Sequence, residues 1–151
     1  MSAFRLLTVS AAVVCLIAPS AAEAQGGWRQ VYRDAQLNVA IDTGRVSRAE
    51  NGAYTVVMRW NYASPRRAES RKPYSRLIQQ VQLRCTPAPI RVKRFGMALY
   101  TATGTLVEEA RALNAGEVRL MDWERLRPRS EGARVYPAVC TTLASLNRRR
   151  A

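Results

Sequence analysis

A strict two-residue alternation from Ala53 to Tyr62 restricts the fold more than any other feature of the sequence. The side chains on its expected core face are Tyr54, Val56, Met58, Trp60 and Tyr62. The period of two predicts a β-strand with one face on a core. Asn51-Gly52 precedes it and predicts a hairpin turn, because both residues accept a positive φ. We expect its upstream partner to be residues 46–48 or a longer ribbon that includes residues 37–41.

Two further segments on either side of this strand have the same character. Residues 28–32 predict a first strand at the start of the expected mature chain. Apolar residues alternate again over residues 75–85, and the face that carries Cys85 also carries Leu77, Val81 and Leu83. Both segments are short, and no helical pattern lies between them.

The next segment, residues 90–100, also predicts a strand, but its apolar residues change parity. Ile90 and Val92 occupy even positions, whereas Phe95, Met97 and Leu99 occupy odd ones, which predicts a β-bulge near residues 93–94. Residues 105–110 and 118–123 are expected to form the last two short strands. Consecutive strands without intervening helices favour an antiparallel sheet.

After Pro128 the pattern changes to that of a helix. The apolar residues at spacings of three and four are Tyr136, Val139, Cys140, Leu143 and Leu146. Ser130 is a suitable N-cap. Pro137 conflicts with a helix that begins after Ser130, because proline inside a helix removes a backbone donor. We therefore expect either a helix that begins near Tyr136 or one that is kinked at Pro137.

The first 24 residues have the three parts of a secretory signal peptide. Arg5 supplies a positive start, residues 6–18 carry no charge, and Ala22-Glu23-Ala24 is a small-x-small cleavage signal. The apolar stretch is too short for a transmembrane helix, which needs about 20 residues. We expect cleavage near Ala24, a single mature domain over residues 25–151 without a transmembrane segment, and a periplasmic, secreted or cell-surface location.

Cleavage would remove one of the three cysteines and leave Cys85 and Cys140. Two cysteines in an oxidising compartment predict one disulfide. Cys85 lies on the apolar face of its strand and Cys140 on the apolar stripe of the helix, so the bond would tie the helix to the sheet. The alternative is a metal site with two thiolates, although no histidine is present to complete a tetrahedral set.

Composition restricts the chemistry of the chain. It contains 24 Lys and Arg residues against 11 Asp and Glu, a formal net charge of +13, and no histidine. The absence of histidine excludes a Ser-His-Asp triad and imidazole metal ligands. A small hydrolase using paired carboxylates, such as Asp122 and Glu124, is the remaining enzymatic alternative. We expect no catalytic residue, no metal and no cofactor.

Two basic clusters are the candidate binding residues. The first comprises Arg66, Arg67, Arg71 and Lys72, and the second comprises Arg91, Lys93 and Arg94. The arginine fork suits phosphate, sulfate and carboxylate groups. In an exported protein we expect anionic glycans, lipopolysaccharide or acidic lipid headgroups as partners, and no nucleic acid. The alternative is a basic surface with no dedicated ligand.

The order of several residues is similar to a known family. It comprises Trp28, the strand around Trp60, Cys85, Tyr100 with Gly104, the segment Trp123-Glu-Arg-Leu-Arg-Pro-Arg-Ser130, and Cys140. This pattern resembles the surface-adhesin protein E family of bacterial envelope proteins.

The resemblance implies an α+β fold, a single curved antiparallel sheet of about six strands with a C-terminal helix tethered to it by a disulfide. It also implies exposure on the envelope and binding of extracellular matrix or plasma macromolecules. The predicted function is therefore that of a non-enzymatic, adhesin-like exported protein. The alternative is a periplasmic envelope-maintenance or stress protein without an adhesive role.

Overall fold

A computed structural model describes residues 27–149, in which eight strands join in one sheet beside two α-helices. The strands are β1 Trp28–Arg33, β2 Leu37–Asp42, β3 Ser47–Arg48, β4 Tyr54–Arg67, β5 Pro73–Arg84, β6 Arg91–Tyr100, β7 Leu106–Ala110 and β8 Glu124–Arg125. The helices are α1 Ala115–Leu120 and α2 Glu131–Arg148. The expected signal peptide, residues 1–24, lies outside the described residues.

All strand pairs are antiparallel. Six strands form the main path in the order β1-β2-β4-β5-β6-β7, while β3 pairs with β4 and β8 pairs with β6. The sequence-based prediction of an α+β fold with one antiparallel sheet of about six strands and a C-terminal helix is therefore confirmed. Both upstream partners expected for β4 are present, since β2 and β3 pair with different parts of it.

The predicted core face of β4 is confirmed. Val56, Met58 and Trp60 are buried, and Trp60 lies opposite Leu77 of β5. The face formed by these side chains is called the inner face below, and the opposite face is called the outer face. Burial of such alternating apolar side chains is what fixes the register of a strand pair.

The predicted β-bulge in β6 is present, at Phe95. Val81 lies opposite Arg94 and Gln80 lies opposite Gly96, so Phe95 is the additional residue. The insertion explains the change of parity in the sequence, because it returns the odd-numbered apolar residues to the inner face. Val92 and Leu99 are accordingly both buried.

The prediction of a strand over residues 118–123 is wrong. Residues 115–120 form α1, and only Glu124–Arg125 pair with β6 as strand β8. The helix begins with a capping box, in which the Asn114 side chain accepts from the backbone N–H of Gly116 and Glu117, and the Glu117 carboxylate accepts from the backbone N–H of Asn114. These bonds satisfy backbone donors in the first turn of α1 and stabilise a helix there. The short apolar pattern of residues 118–123 is not sufficient to favour a strand instead.

Helix α2 covers the inner face of the sheet and completes the core. Its N-cap is Ser130, as predicted, whose hydroxyl accepts from the backbone N–H of Ala133 at 3.1 Å. The helix begins at Glu131 and continues through Pro137, whose side chain is exposed. The buried residues of the helix, which pack in one cluster with those of β2, β4, β5 and β6, are Val135, Tyr136, Val139 and Leu143.

A disulfide joins Cys85 to Cys140, with Cα atoms 5.6 Å apart. Cys85 directly follows β5, and Cys140 lies in the middle of α2, so the bond ties the helix to the sheet as predicted. The metal-site alternative for this pair is thereby excluded.

Replacing both cysteines (Cys85→Ser with Cys140→Ser) should lower the free energy of unfolding by about 4 kcal/mol, because the unfolded chain regains loop entropy over the separation of 55 residues. Urea unfolding of the protein lacking residues 1–24 measures the change. The matched control is the same protein after reduction, which should unfold like the double variant. Equal stability of the oxidised protein and the variant would contradict the prediction.

Candidate functional site

The hairpin between β4 and β5 ends in an exposed turn. Arg67 lies opposite Pro73, and the backbone N–H of Ala68 donates to the carbonyl of Lys72 at 3.0 Å. Arg71 closes the turn with a φ of 63°, the left-handed region that side chains rarely adopt. Basic residues come to this turn from β4, which ends with Arg66 and Arg67, and from the turn itself, in which Arg71 and Lys72 precede β5.

Three cations of this turn, Arg67, Arg71 and Lys72, are exposed, and they are called the basic tip below. Within residues 27–149, none of the three has a carboxylate at ion-pair distance. The Arg67 guanidinium donates to the backbone carbonyl of Arg71 at 3.2 Å, which holds the Arg67 side chain across the turn. Glu69 is the one acid of the turn.

The turn between β4 and β5 is also bonded to β7, an edge strand of the sheet. The Ser70 hydroxyl donates to a Glu108 carboxylate oxygen at 2.9 Å, and Glu108 lies in β7. This contact neutralises no charge of the basic tip, because its donor is a hydroxyl. The contact positions the turn and leaves the three cations of the basic tip without an ion pair.

Arg66, the fourth residue of the first predicted cluster, points elsewhere. Its guanidinium forms an ion pair with Glu131 in the first turn of α2 and lies 4.8 Å from the centre of the Tyr62 ring. Arg66 therefore links the hairpin to the helix. The first cluster thus divides into the basic tip and one arginine with a contact to α2.

The second predicted cluster is separated by the structure. Lys93 is 5% exposed, and its ammonium donates to the carbonyls of Val118 at 2.9 Å and Arg119 at 3.3 Å, at the end of α1. Its charge is therefore engaged inside the fold. Arg91 lies on the same face as Lys93, whereas Arg94 is exposed on the opposite face and forms an ion pair with Glu124.

A cleft of about 290 Å³ lies between the first turn of α2 and the inner face of the sheet. The residues that line this α2 cleft are Trp60, Tyr62, Leu77, Gln79, Arg94, Ser130, Glu131, Gly132 and Tyr136. Trp60 was predicted to be a core residue, and it is 4% exposed, yet it also forms part of the cleft wall. The signal that could have located the cleft is Gln79, a polar residue on the otherwise apolar face of β5.

The two tyrosines of the α2 cleft are neutral hydroxyl groups over a wide pH range. Burial raises the pKa of Tyr62, and the nearby Glu131 carboxylate raises it further. Burial also raises the pKa of Tyr136, whose hydroxyl lies 3.5 Å from the side-chain oxygen of Gln79. Both phenols can therefore act as hydrogen-bond donors at neutral pH.

The outer face carries arginine side chains stacked on tryptophans. The Arg59 guanidinium lies 4.7 Å from the Trp28 ring centre, and Arg84 lies 4.5 Å from the Trp123 ring centre. Stacking leaves the edge of a guanidinium accessible for hydrogen bonds to an anion. Arg84 thus presents an oriented cation on the face that α2 does not cover, whereas the Nε atom of Arg59 is buried.

The carboxylates considered for acid–base chemistry, Asp122 and Glu124, are both exposed, and Glu124 forms the ion pair with Arg94. In the part of the chain that the structure describes, no group of three or more Cys, Asp or Glu side chains is arranged to hold a metal ion.

These features define a disulfide-tied antiparallel-sheet domain with a basic hairpin tip and a cleft beside its helix. A family model described as surface-adhesin protein E matches residues 28–141, and the chain belongs to this family. The family indicates an adhesin-like, exported or cell-surface protein and suggests a non-enzymatic role. No curated protein and no solved structure matches the chain.

The raised pKa values of Tyr62 and Tyr136 predict a loss of stability at high pH. Because the folded-state pKa lies above the unfolded value near 10, the contribution of each neutral phenol is fully present below about pH 10 and is lost as the pH rises further. Urea unfolding between about pH 9 and pH 11 should show the decline, and Tyr62→Phe should reduce it.

Ultraviolet titration provides the control for this prediction. In denaturant the six tyrosines should ionise together near pH 10, whereas in the folded protein Tyr62 and Tyr136 should ionise later. A folded-state titration curve identical to that of the denatured protein would contradict the assignment.

Proposed function

We propose that this chain is an exported, adhesin-like envelope protein that binds polyanionic macromolecules through its basic tip and the outer face of its sheet. The observation that carries the proposal is the basic tip, where Arg67, Arg71 and Lys72 are exposed and form no ion pair within the described residues. Adjacent like charges repel one another, and an anionic polymer would relieve that repulsion.

The chemistry of the tip suits anionic glycans, including lipopolysaccharide. Arginine presents a planar fork of donors to sulfate, phosphate or carboxylate groups, and two of the three tip cations are arginines. The formal charge of +13 would attract such polymers over a longer range. Arg84, stacked on Trp123, supplies a further oriented cation on the outer face.

The disulfide supports an extracytoplasmic location. Disulfides persist in oxidising compartments, and the Cys85–Cys140 bond joins elements of the core. Within residues 27–149, neither helix is both long and apolar enough to span a membrane. The signal peptide predicted for residues 1–24 would provide the route of export.

Removing the charges of the basic tip should weaken retention on a polyanion. The variant combines Arg67→Ser, Lys72→Ser and Arg71→Asn, since asparagine tolerates the positive φ at that position. We expect elution from immobilised heparin, and from lipopolysaccharide-coated beads, at about half the salt concentration that the unchanged protein requires, because fewer counterions are released from the polymer.

The control is a second triple variant with the same loss of charge, Arg127→Ser, Arg148→Ser and Arg149→Ser. These arginines are exposed and lie outside the hairpin. It should elute close to the unchanged protein. Equal losses in the two variants would indicate attraction by net charge alone and would overturn the assignment of the tip.

Surface exposure can be tested on intact cells. We expect added protease to remove the protein from intact cells, because an adhesin must reach the outer surface. A periplasmic maintenance protein would become sensitive only after the outer membrane is opened. The comparison should use a periplasmic protein of known location as the protected control, and protection equal to that control would favour the alternative role.

A further inference from the structure

One residue of the α2 cleft wall carries a buried donor without an acceptor. The indole nitrogen Nε1 of Trp60 is buried and has no hydrogen-bond partner among the residues that the structure describes. A buried polar group in this state costs about 1–3 kcal/mol relative to a satisfied one. Because the Trp60 side chain also lines the cleft, an acceptor that reached Nε1 when a molecule binds would relieve this cost.

Further donors line the same cleft. Glu131 and Gly132 lie in the first turn of α2, where backbone N–H groups have no acceptor within the helix. Arg94 adds a guanidinium, and Gln79 adds a side-chain amide. An occupant of the cleft must therefore be rich in acceptor atoms.

The cleft also has aromatic walls and one acid. Trp60, Tyr62 and Tyr136 supply ring surfaces, and the Trp60 and Tyr136 rings meet edge to face with centres 6.0 Å apart. The Glu131 carboxylate, paired with Arg66, can accept hydrogen bonds from hydroxyl groups. Aromatic rings together with amide, carboxylate and guanidinium groups match a ring that bears several hydroxyls and a carboxylate.

We propose that the α2 cleft binds one uronic-acid unit, a sugar ring that carries a carboxylate. The ligand carboxylate faces Arg94, its oxygens accept from the Trp60 indole and the first turn of α2, and its hydroxyls bond to Gln79 and Glu131. The volume of about 290 Å³ is sufficient for a single monosaccharide and lies at the lower end of small-molecule sites. This inference rests on the proposed function. It adds that one sugar unit of the anionic glycan binds in the α2 cleft, a site separate from the basic tip.

The test uses D-glucuronate as the probe and follows saturation-transfer NMR together with quenching of tryptophan fluorescence. D-Glucose lacks the carboxylate and acetate lacks the ring, so these two molecules are matched controls. We expect transfer to glucuronate and at least about tenfold weaker binding of glucose, since a charge-assisted hydrogen bond contributes roughly that factor. Equal binding of glucose, equal binding of acetate, or no transfer to any probe would each overturn the proposal.

Two substitutions locate the site. Trp60→Phe keeps a ring and removes the indole N–H, and it should weaken glucuronate binding about fivefold. Arg94→Met removes an exposed guanidinium and should weaken binding about tenfold or more. Arg91→Met, on the opposite face of β6, is the matched control and should leave binding unchanged.

The outcomes separate this inference from the proposed function. If Trp60→Phe impairs folding, the exposed Arg94 still tests the site, and binding unaffected by Arg94→Met would place glucuronate elsewhere and overturn the proposal. Weaker heparin retention of the basic-tip variant than of its control, combined with no glucuronate binding by the unchanged protein, would retain the proposed function and reject the uronic-acid site. Glucuronate binding together with equal heparin retention by the basic-tip and control variants would retain the cleft site and reject the assignment of the tip.

Discussion

The packing of α2 across the inner face of the sheet is the interaction on which the other features depend. Its buried residues fill the space above β2, β4 and β5, the disulfide fixes one side of the helix, and Arg134 forms an ion pair with Asp34 at the β1–β2 turn at 2.9 Å. Because the helix begins at Glu131, its first turn lies beside the inner face near Gln79 and Arg94, and a cleft remains there. The outer face is left for arginine–tryptophan stacking.

Most of the fold could be predicted because its signals are local and repeated. The alternation in β4, the parity change in β6 and the helical stripe after Ser130 each reflect burial of one face. Residues 118–123 were assigned to the wrong element because the apolar pattern there is short, whereas the capping box of Asn114 and Glu117 lies upstream of it. The carbonyls at the end of α1 are satisfied by Lys93, which is about 25 residues away and cannot be inferred from local pattern.

The candidate site could be predicted only where it is contiguous in the sequence. The residues of the basic tip are close neighbours in the chain, so their proximity follows from one hairpin. Lys93 and Arg94 are also adjacent, but the period of a strand sends them to opposite faces, and only the pairing of β6 shows which one is buried. The α2 cleft combines side chains from β4, β5, β6 and α2, and its assembly requires the tertiary structure.

The charges around these two surfaces explain why different kinds of recognition are proposed for them. The two charged residues that line the α2 cleft, Glu131 and Arg94, are paired with Arg66 and Glu124. The local charge is therefore balanced, and selectivity must come from directed hydrogen bonds at short range. The cations of the basic tip have no such partners in the described residues, and their field extends over about one Debye length. The basic tip can therefore attract any polymer with repeated negative charges, but it does not distinguish one sugar unit from another. Discrimination between sugar units requires a site of defined shape with donors that still lack acceptors, and the proposed cleft site combines the two.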